Sequence, residues 1–219
     1  MNISDLNINL EWLATFLGIA YVILAARHNP WAWPAAFLGA AIYGWLLWQD
    51  KLPMQALLHL AYMGMAIWGW QQWQGKSSQQ HQGIASMTLK QHSFVLSLGA
   101  SLTLIIALFL NYYELSQSPW LDTTTSVFAL IVTGLVVKQR LENWLYWIVI
   151  DITTALLFWQ SQHLAMSLLY LVYTALAAYG YWYWRKLYLK QKMSLSSSTL
   201  VQNTHPRVAN AIITGDKVL

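Results

Sequence analysis

The sequence contains no cysteine among its 219 residues, and only 9% of its residues are charged. Without cysteine, neither a disulfide framework nor a thiolate metal site can form. A soluble domain carries about 25% charged residues, so this low charge content argues against a water-soluble globular protein. The nucleotide-binding signature Gly-x-x-x-x-Gly-Lys-Ser/Thr is missing, as are the catalytic signatures His-Glu-x-x-His and Gly-x-Ser-x-Gly. We therefore expect neither a cofactor nor an enzymatic activity.

Apolar residues make up 57% of the chain and are concentrated in seven runs. The runs cover residues 12–26, 31–48, 53–73, 93–112, 120–137, 144–159 and 164–184. A helix needs about 20 residues to cross a ~30 Å hydrocarbon core, and most of these runs approach that length. Asp5 and Glu11 precede the first run, where a cleaved signal peptide would carry basic residues, so this run is predicted to be a span. The sequence thus predicts an all-α membrane protein with seven transmembrane helices.

The basic residues predict the orientation of these spans. With seven spans and the N-terminus outside, all of the 12 Lys and Arg residues except Lys51 lie on the cytoplasmic side. An excess of Lys and Arg in cytoplasmic loops is typical of membrane proteins. The same charges flank apolar segments and form no basic domain, so we expect the lipid bilayer and not nucleic acid as a partner. The prediction is a multi-pass protein with a cytoplasmic C-terminus.

Two stretches of the chain are similar and indicate a duplicated unit. Two pairs are separated by 114 residues, which we call the longer spacing: Asn29 with Asn143 and Trp33 with Trp147. Three pairs are separated by 111 residues, which we call the shorter spacing: Trp48 with Trp159, Gly69 with Gly180 and Trp73 with Trp184. One helix between two three-helix repeats restores the starting side, so both repeats share one orientation. The predicted fold is two parallel three-helix repeats joined by a linker helix, a 3+1+3 arrangement like that of SWEET-type carriers. Such symmetry in an apolar chain is typical of a transporter.

The predicted organisation of the chain follows from these spans. Residues 1–10 form an extracytoplasmic N-terminus, 11–74 the first repeat, 75–91 a cytoplasmic loop, 92–113 the linker helix, 119–185 the second repeat and 186–219 a disordered cytoplasmic tail. The loop is rich in Gln, Ser and Gly, which favour irregular structure. The tail has no apolar periodicity, which is typical of a disordered segment.

Asp151 is the clearest ionisable residue within a predicted span. A charged group at mid-depth in a bilayer costs about 2.5–3.5 kcal/mol or more, so its side chain is expected to face the bundle interior or a wet cavity. There it either complements a cationic or hydroxyl-bearing substrate or bonds a neighbouring helix. Asn143 and Trp147 share its helical face, and a Trp ring attracts flat cations. At the longer spacing the counterpart of Asp151 is Phe37.

Polar side chains also follow one face of the third run. Gln55, His59 and Tyr62 are spaced at i, i+4 and i+7. The corresponding part of the seventh run contributes Tyr170 and Tyr173. We interpret these residues as the lining of a polar path. The alternative is that they form hydrogen bonds between helices.

Several motifs resemble those of the Pnu-type vitamin transporters. They are Asn29-x-x-x-Trp33-Pro34, Gly69-Trp70-x-x-Trp73, the Glu-Asn-Trp-Leu-Tyr-Trp-Ile-Val-Ile-Asp block at 142–151 and Gly180-Tyr181-x-x-Trp184-Arg185. The resemblance implies a bacterial inner-membrane protein that takes up a vitamin by facilitated diffusion, with the substrate trapped by a cytosolic kinase. It places Asn143 and Trp147 in the substrate region and supports the importance of Asp151. The candidate substrate-binding residues are then Trp147, Asn143, Asp151, Gln55, His59, Tyr62, Tyr170, Tyr173, Asn29 and Trp33.

The chain departs from the family pattern after the second run. Family members often show Leu-Tyr-x-Asp/Glu followed about four residues on by Gln, whereas here Pro53, Gln55 and His59 stand at these positions. The resemblance implies nicotinamide riboside as substrate, with thiamine as the alternative, and relatives that carry riboflavin leave that vitamin open as well. A non-transporting assembly subunit is a further alternative. A homo-oligomer is compatible with the sequence.

Overall fold

The computed structural model describes residues 3–50, 53–74, 83–113, 119–160, 162 and 164–204. These residues form seven helices, as predicted. They are α1 (Ile3–Ala26), α2 (Ala32–Gln49), α3 (Pro53–Gln74), α4 (Leu89–Tyr112), α5 (Pro119–Val137), α6 (Asn143–Gln160) and α7 (Leu164–Thr204). The prediction of an all-α chain with seven helices is therefore confirmed for the described residues.

Three boundaries differ from the prediction. α1 begins at Ile3, inside the predicted N-terminal extension, and α4 begins at Leu89, slightly before the predicted linker helix. α7 continues to Thr204, so residues 186–204 are helical and not disordered. Residues 205–219 lie outside the described part of the chain.

Local sequence explains where several helices begin. α3 and α5 start at Pro53 and Pro119. Proline suits the first helical position because its fixed φ is helical and its missing N–H would have no partner there. α4 begins with a capping box, in which the Thr88 hydroxyl accepts the Gln91 N–H and the Gln91 side chain accepts the Thr88 N–H at 2.9 Å.

The α1–α2 and α5–α6 turns have the same construction. Each contains a residue in the left-handed region, His28 (φ 55°) or Gln139 (φ 52°). In each turn that residue donates its N–H to the carbonyl three residues back, and the next residue donates to the carbonyl five residues back. This pair of bonds is a Schellman motif. His28 and Gln139 are related by the shorter spacing, so the longer spacing predicted for this region is wrong.

Both turns lie at the same end of the bundle, which we call the turn end. The Trp184 indole N–H donates to the Ala25 carbonyl at 3.0 Å, and the Trp73 indole N–H donates to the Val137 carbonyl at 3.1 Å. Trp184 is on α7 and bonds the end of α1, while Trp73 is on α3 and bonds the end of α5. Each half of the chain is therefore fastened to the other by an indole-to-carbonyl hydrogen bond.

The main buried core also lies at the turn end, and glycine makes room for its largest rings. A Cβ added to Gly69 would overlap the Trp33 ring, and one added to Gly180 would lie 2.7 Å from the Trp144 ring. Trp33 and Trp144 are 1% and 3% exposed. The shorter spacing relates these two rings as well, so the counterpart of Trp33 is Trp144 and not Trp147.

The segment before α4 is attached to the α5–α6 turn. Ala85 exchanges two backbone hydrogen bonds with that turn, at 3.1 and 3.0 Å. The Glu142 carboxylate accepts hydrogen bonds from the Ser86 hydroxyl and the Met87 N–H. Ile84 is buried in the turn-end core. This segment thus connects α4 firmly to the second half of the chain, and α4 itself packs mainly on α5.

The outward faces of the helices are apolar. Asn7–Ala26 and Leu89–Tyr112 are each long and apolar enough to cross a membrane. Large apolar side chains are exposed around the bundle, among them Phe16, Leu38, Trp45, Leu60, Ile105, Val149 and Leu168. Exposed apolar surface of this extent requires a covering environment. Hydrocarbon supplies that covering, while the polar side chains described next lie inside the bundle.

Candidate functional site

Two aromatic pairs on α3 and α7 have nearly the same geometry. The His59 and Tyr62 rings are 5.9 Å apart at an interplanar angle of 78°, and the Tyr170 and Tyr173 rings are 5.8 Å apart at 82°. Each member of the first pair is related to its counterpart by the shorter spacing. The counterpart of His59 is therefore Tyr170, and the counterpart of Tyr62 is Tyr173.

Tyr43 on α2 adds a third aromatic element to the pair on α3. Its ring lies 5.7 Å from that of His59, and its hydroxyl lies 2.8 Å from the Thr15 hydroxyl on α1. Gly18, one turn along α1, faces the other pair, because a Cβ there would lie 3.9 Å from the Tyr173 hydroxyl oxygen. Tyr43, Thr15 and Gly18 were not among the predicted site residues. If the shorter spacing is applied to the whole chain, Tyr43 is paired with Thr154. A pair of polar residues at equivalent positions of two apolar runs could have identified Tyr43 from the sequence.

The two aromatic pairs and Asp151 belong to one site, because Tyr62 of the first pair lies within electrostatic range of Tyr170 of the second. Asp151 is 5% exposed and interacts electrostatically with the Tyr170 and Tyr173 hydroxyls. Tyr43 interacts with the same two hydroxyls from the other half of the chain. We call this group the aromatic site, and its members are Tyr43, His59, Tyr62, Asp151, Tyr170 and Tyr173. Its residues come from α2, α3, α6 and α7.

The aromatic site has the chemistry to hold a flat, polar molecule. Aromatic faces stack on a planar ring, and the tyrosine hydroxyls donate and accept hydrogen bonds. One carboxylate can pair with a cationic or hydroxyl-bearing group, and charge-assisted hydrogen bonds are about twice as strong as neutral ones. Among the predicted site residues, the structure brings together His59, Tyr62, Asp151, Tyr170 and Tyr173.

The other candidates on α6 form a stripe from the turn end towards Asp151. Asn143 is fully buried and donates its side-chain N–H to the Arg140 carbonyl at 2.6 Å, while its Oδ1 has no hydrogen-bond partner among the described residues. Trp147, one turn further on, is half-buried and packs against the turn-end core. Asp151 follows after one more turn. Asn143 and Trp147 therefore lie beside the aromatic site, on the turn-end side of Asp151.

The remaining candidates lie elsewhere. Asn29 accepts the Trp31 N–H at 3.0 Å and shapes the α1–α2 turn. Trp33 is buried in the turn-end core, with its indole N–H unbonded among the described residues. The side chain of Gln55 lies outside the described residues.

A cluster of rings closes the bundle at the turn end. His28 stacks on Trp73 at 4.8 Å and meets Trp184 edge-on at 5.3 Å. Trp33 and Trp144 meet the same two indoles edge-on, at 5.3 and 5.5 Å. We call these five residues the turn-end plug. Three of its rings, Trp33, Trp144 and Trp184, are buried.

His28 makes the plug sensitive to acid. Burial lowers the pKa of His28 below its ordinary value of 6.5, although a hydrogen bond that the imidazole donates to the Gln139 side chain opposes this shift. The described partners of His28 are Trp73, Trp184 and Gln139, none of which ionises in this pH range. Because the folded state holds His28 neutral, its contribution to stability is present above pH 6.5 and is lost as the pH falls.

We expect the melting temperature of the purified protein in detergent to fall between pH 7.5 and pH 5.5. His28→Gln should make this fall smaller, because glutamine does not titrate and Gln139 already adopts the same backbone conformation in the equivalent turn. The measurement is thermal unfolding of both proteins across this pH range. Equal slopes for the two proteins would contradict the assignment to His28.

Comparison with known proteins identifies the family. The family model for the nicotinamide mononucleotide transporter matches residues 8–186. A curated relative, the riboflavin/roseoflavin transporter RibM of Streptomyces davaonensis, is 25% identical over 78% of this chain and 81% of its own length. The crystal structure of the vitamin B3 transporter PnuC matches with a TM-score of 0.64 and 22% identity, over 81% of each chain. That structural likeness supports the fold.

The family match covers most of the chain and every residue of the aromatic site. Membership also explains the apolar outer surface, since these proteins are multi-pass membrane proteins. The chain belongs to the nicotinamide mononucleotide transporter family, the Pnu-type vitamin transporters.

Proposed function

We propose that this protein is a facilitator that takes up a B vitamin or vitamin precursor, with nicotinamide riboside as the leading substrate. The observation that carries the proposal is the aromatic site, in which the buried Asp151 lies within electrostatic range of Tyr170 and Tyr173, and both halves of the chain contribute aromatic rings. Nicotinamide riboside has a flat cationic ring and a sugar with hydroxyl groups. The rings would stack on its pyridinium, and the tyrosine hydroxyls would bond its ribose.

The alternative substrates differ in charge. Thiamine is also a flat cation and suits the same site, so it remains the runner-up. Riboflavin is neutral and is supported by the name of the relative RibM. A buried carboxylate favours a cation over a neutral ring system, because the uncompensated charge is costly. We therefore rank riboflavin third.

The proposed mechanism is alternating access between two parallel three-helix units, α1–α3 and α5–α7, with α4 as the linker. The shorter spacing recurs in the turns, the glycine–indole contacts and the aromatic pairs, and this constancy supports the 3+1+3 arrangement. The two units would rock about the aromatic site, and the turn-end plug would open when the other end closes. Transport of this kind needs neither ATP nor an ion gradient.

The proposed setting is the bacterial inner membrane, with the N-terminus outside and the turn end in the cytoplasm. The distribution of Lys and Arg supports this orientation, since all except Lys51 would lie on the cytoplasmic side. Net uptake would then be driven by a cytosolic kinase that phosphorylates the vitamin, because the protein would not transport the phosphorylated product.

The test is binding and flux with three vitamins in parallel. Purified protein is titrated with nicotinamide riboside, thiamine and riboflavin while tryptophan fluorescence is recorded, and the same compounds are offered to proteoliposomes. With a cationic vitamin we expect saturable quenching of the fluorescence and uptake that does not require an ion gradient. Tight binding of riboflavin alone would change the substrate assignment. Binding without flux would favour the assembly subunit, and no response to any of the three would overturn the proposal.

Trp147→Ala should weaken binding by about 30-fold, because a desolvated cation–π contact is worth about 2 kcal/mol. The matched control is Trp45→Ala, which removes an indole that is 60% exposed on the outer surface. Both variants lose one fluorophore, so affinity and not signal amplitude is compared. Equal affinities of the two variants would exclude Trp147 from the substrate contact.

A further inference from the structure

The two halves of the chain build the aromatic site with the same backbone frame but with different charges. The shorter spacing, which relates the aromatic pairs, also relates Asp151 on α6 to Ala40 on α2. Both positions are buried, at 5% and 8% exposure. We call these two positions the corners of the site. The corner on α6 carries the carboxylate of Asp151, and the equivalent corner on α2 carries the methyl group of Ala40.

Contacts one turn further along both helices show that the two corners face equivalent neighbours. On α2, a Cβ at Gly44 would lie 3.9 Å from the carbonyl oxygen of Ala56 on α3, and the counterpart of Ala56 on α7 is Ser167. On α6, the carbonyl of Ala155, the counterpart of Gly44, accepts the Ser167 hydroxyl of α7 at 2.9 Å. The faces of α2 and α6 that carry Ala40 and Asp151 are thus packed in the same way.

The aromatic partner of each corner is also equivalent. Asp151 lies within electrostatic range of Tyr170, whose counterpart is His59. A carboxylate at position 40 would therefore lie near His59 in the same way as the Asp151 carboxylate lies near Tyr170. The frame offers two pseudo-equivalent orientations to a ligand with one cationic end, and only one of them meets a carboxylate.

We infer that Ala40 is a specificity-determining position, at which the absence of a carboxylate fixes the direction in which the vitamin lies in the site. This inference rests on the proposed function. It has a consequence that a unique, asymmetric pocket would not have. If the carboxylate is moved from position 151 to position 40, the ligand can turn around and bind again.

The experiment compares four proteins by titration with nicotinamide riboside and thiamine. Asp151→Ala should lose about 10- to 100-fold in affinity, as expected for a charge-assisted contact. The double variant Asp151→Ala/Ala40→Asp, which keeps the number of buried carboxylates, should regain affinity to within about tenfold of the wild type. The control, Asp151→Ala/Ala41→Asp, places the carboxylate on the next residue, about 100° around the helix, and should not recover.

A second measurement covers the case in which Ala40→Asp does not fold. The chain has no cysteine, so Ala40→Cys alone gives a single reactive thiol in a background that keeps Asp151. Saturating vitamin should slow labelling of this thiol by a small maleimide at least tenfold relative to the unliganded protein. A labelling rate that the vitamin leaves unchanged would overturn the inference.

The outcomes separate this inference from the proposed function. If the wild type binds none of the vitamins, both fail. If the wild type binds but the folded swap variant does not recover, or if the Ala41→Asp control recovers equally, only the assignment of Ala40 fails. Recovery restricted to Ala40→Asp supports both.

Discussion

Gly69→Ala is expected to destabilise the protein by about 3 kcal/mol, which corresponds to a fall of roughly 10 °C in melting temperature. The added methyl group would overlap the Trp33 ring, and that ring is 1% exposed and packs against the rings of Tyr21 and Trp73 at 5.9 and 5.3 Å. Gly180→Ala should act in the same direction against Trp144, where the distance is 2.7 Å. Thermal unfolding in detergent and the yield of monodisperse protein measure both effects.

Gly64→Ala is the matched control, because it lies on the same helix as Gly69 and a Cβ there would meet nothing within 4 Å. Alanine has the higher helix propensity, so this variant should be neutral or more stable by up to about 1 kcal/mol. If Gly69→Ala and Gly64→Ala melt at the same temperature, the close packing of glycine against the indole is not a source of stability.

Trp184→Phe should shift the proposed conformational equilibrium towards a state that is open at the turn end. The variant keeps a buried ring but removes the indole N–H that bonds the Ala25 carbonyl at 3.0 Å. The Ala25 carbonyl still accepts the His28 N–H, so the change removes one hydrogen bond worth about 0.5–1.5 kcal/mol, and this loss falls on the closed state, in which the bond joins the two halves. The open population should therefore rise about 2- to 10-fold.

The measurement uses Gly18→Cys as the single thiol, placed where a Cβ lies 3.9 Å from the Tyr173 hydroxyl. Labelling by a membrane-impermeant maleimide from the turn-end side of proteoliposomes should accelerate in proportion to the open population. Trp182→Phe is the control, since that indole is on the same helix but is 58% exposed. Equal labelling rates in the two variants would mean that the Trp184 bond does not hold the plug closed.

The helices could be predicted from the sequence because membrane spans are set by length and polarity. Six of the seven apolar runs lie within a helix, and the remaining run, 31–48, begins one residue before α2; the larger differences in boundaries fall where polar residues continue a helix beyond an apolar run. α7 is the clearest example. Its polar extension to Thr204 follows a helix that is already formed, and propagation of a helix costs far less than its nucleation. Composition alone therefore suggested disorder where the structure has a helix.

The candidate site was predicted in part. Polarity within apolar runs pointed to Asp151, His59 and the tyrosines of α7, which belong to the aromatic site that we propose as the substrate site. The register between the halves was wrong near the turns, because Asn and Trp recur by letter at the longer spacing, whereas the two turns are equal in length. That error paired Asp151 with Phe37 and concealed Ala40. Residues such as Thr15 and Gly18 depend on which helices meet, and a single sequence does not specify those contacts.

The attachment of α4 determines where an insertion into this chain would be tolerated. Glu142 and Ala85 fasten the start of α4 to the α5–α6 turn, and α4 packs mainly on α5, so in the proposed mechanism α4 travels with the second half. Three helices would then move against four, and the chain passes from one group to the other between Gln74 and Gly83. A reporter domain inserted there would interrupt neither group of helices. The same domain placed between α4 and α5 would interrupt a unit that has to move as one piece.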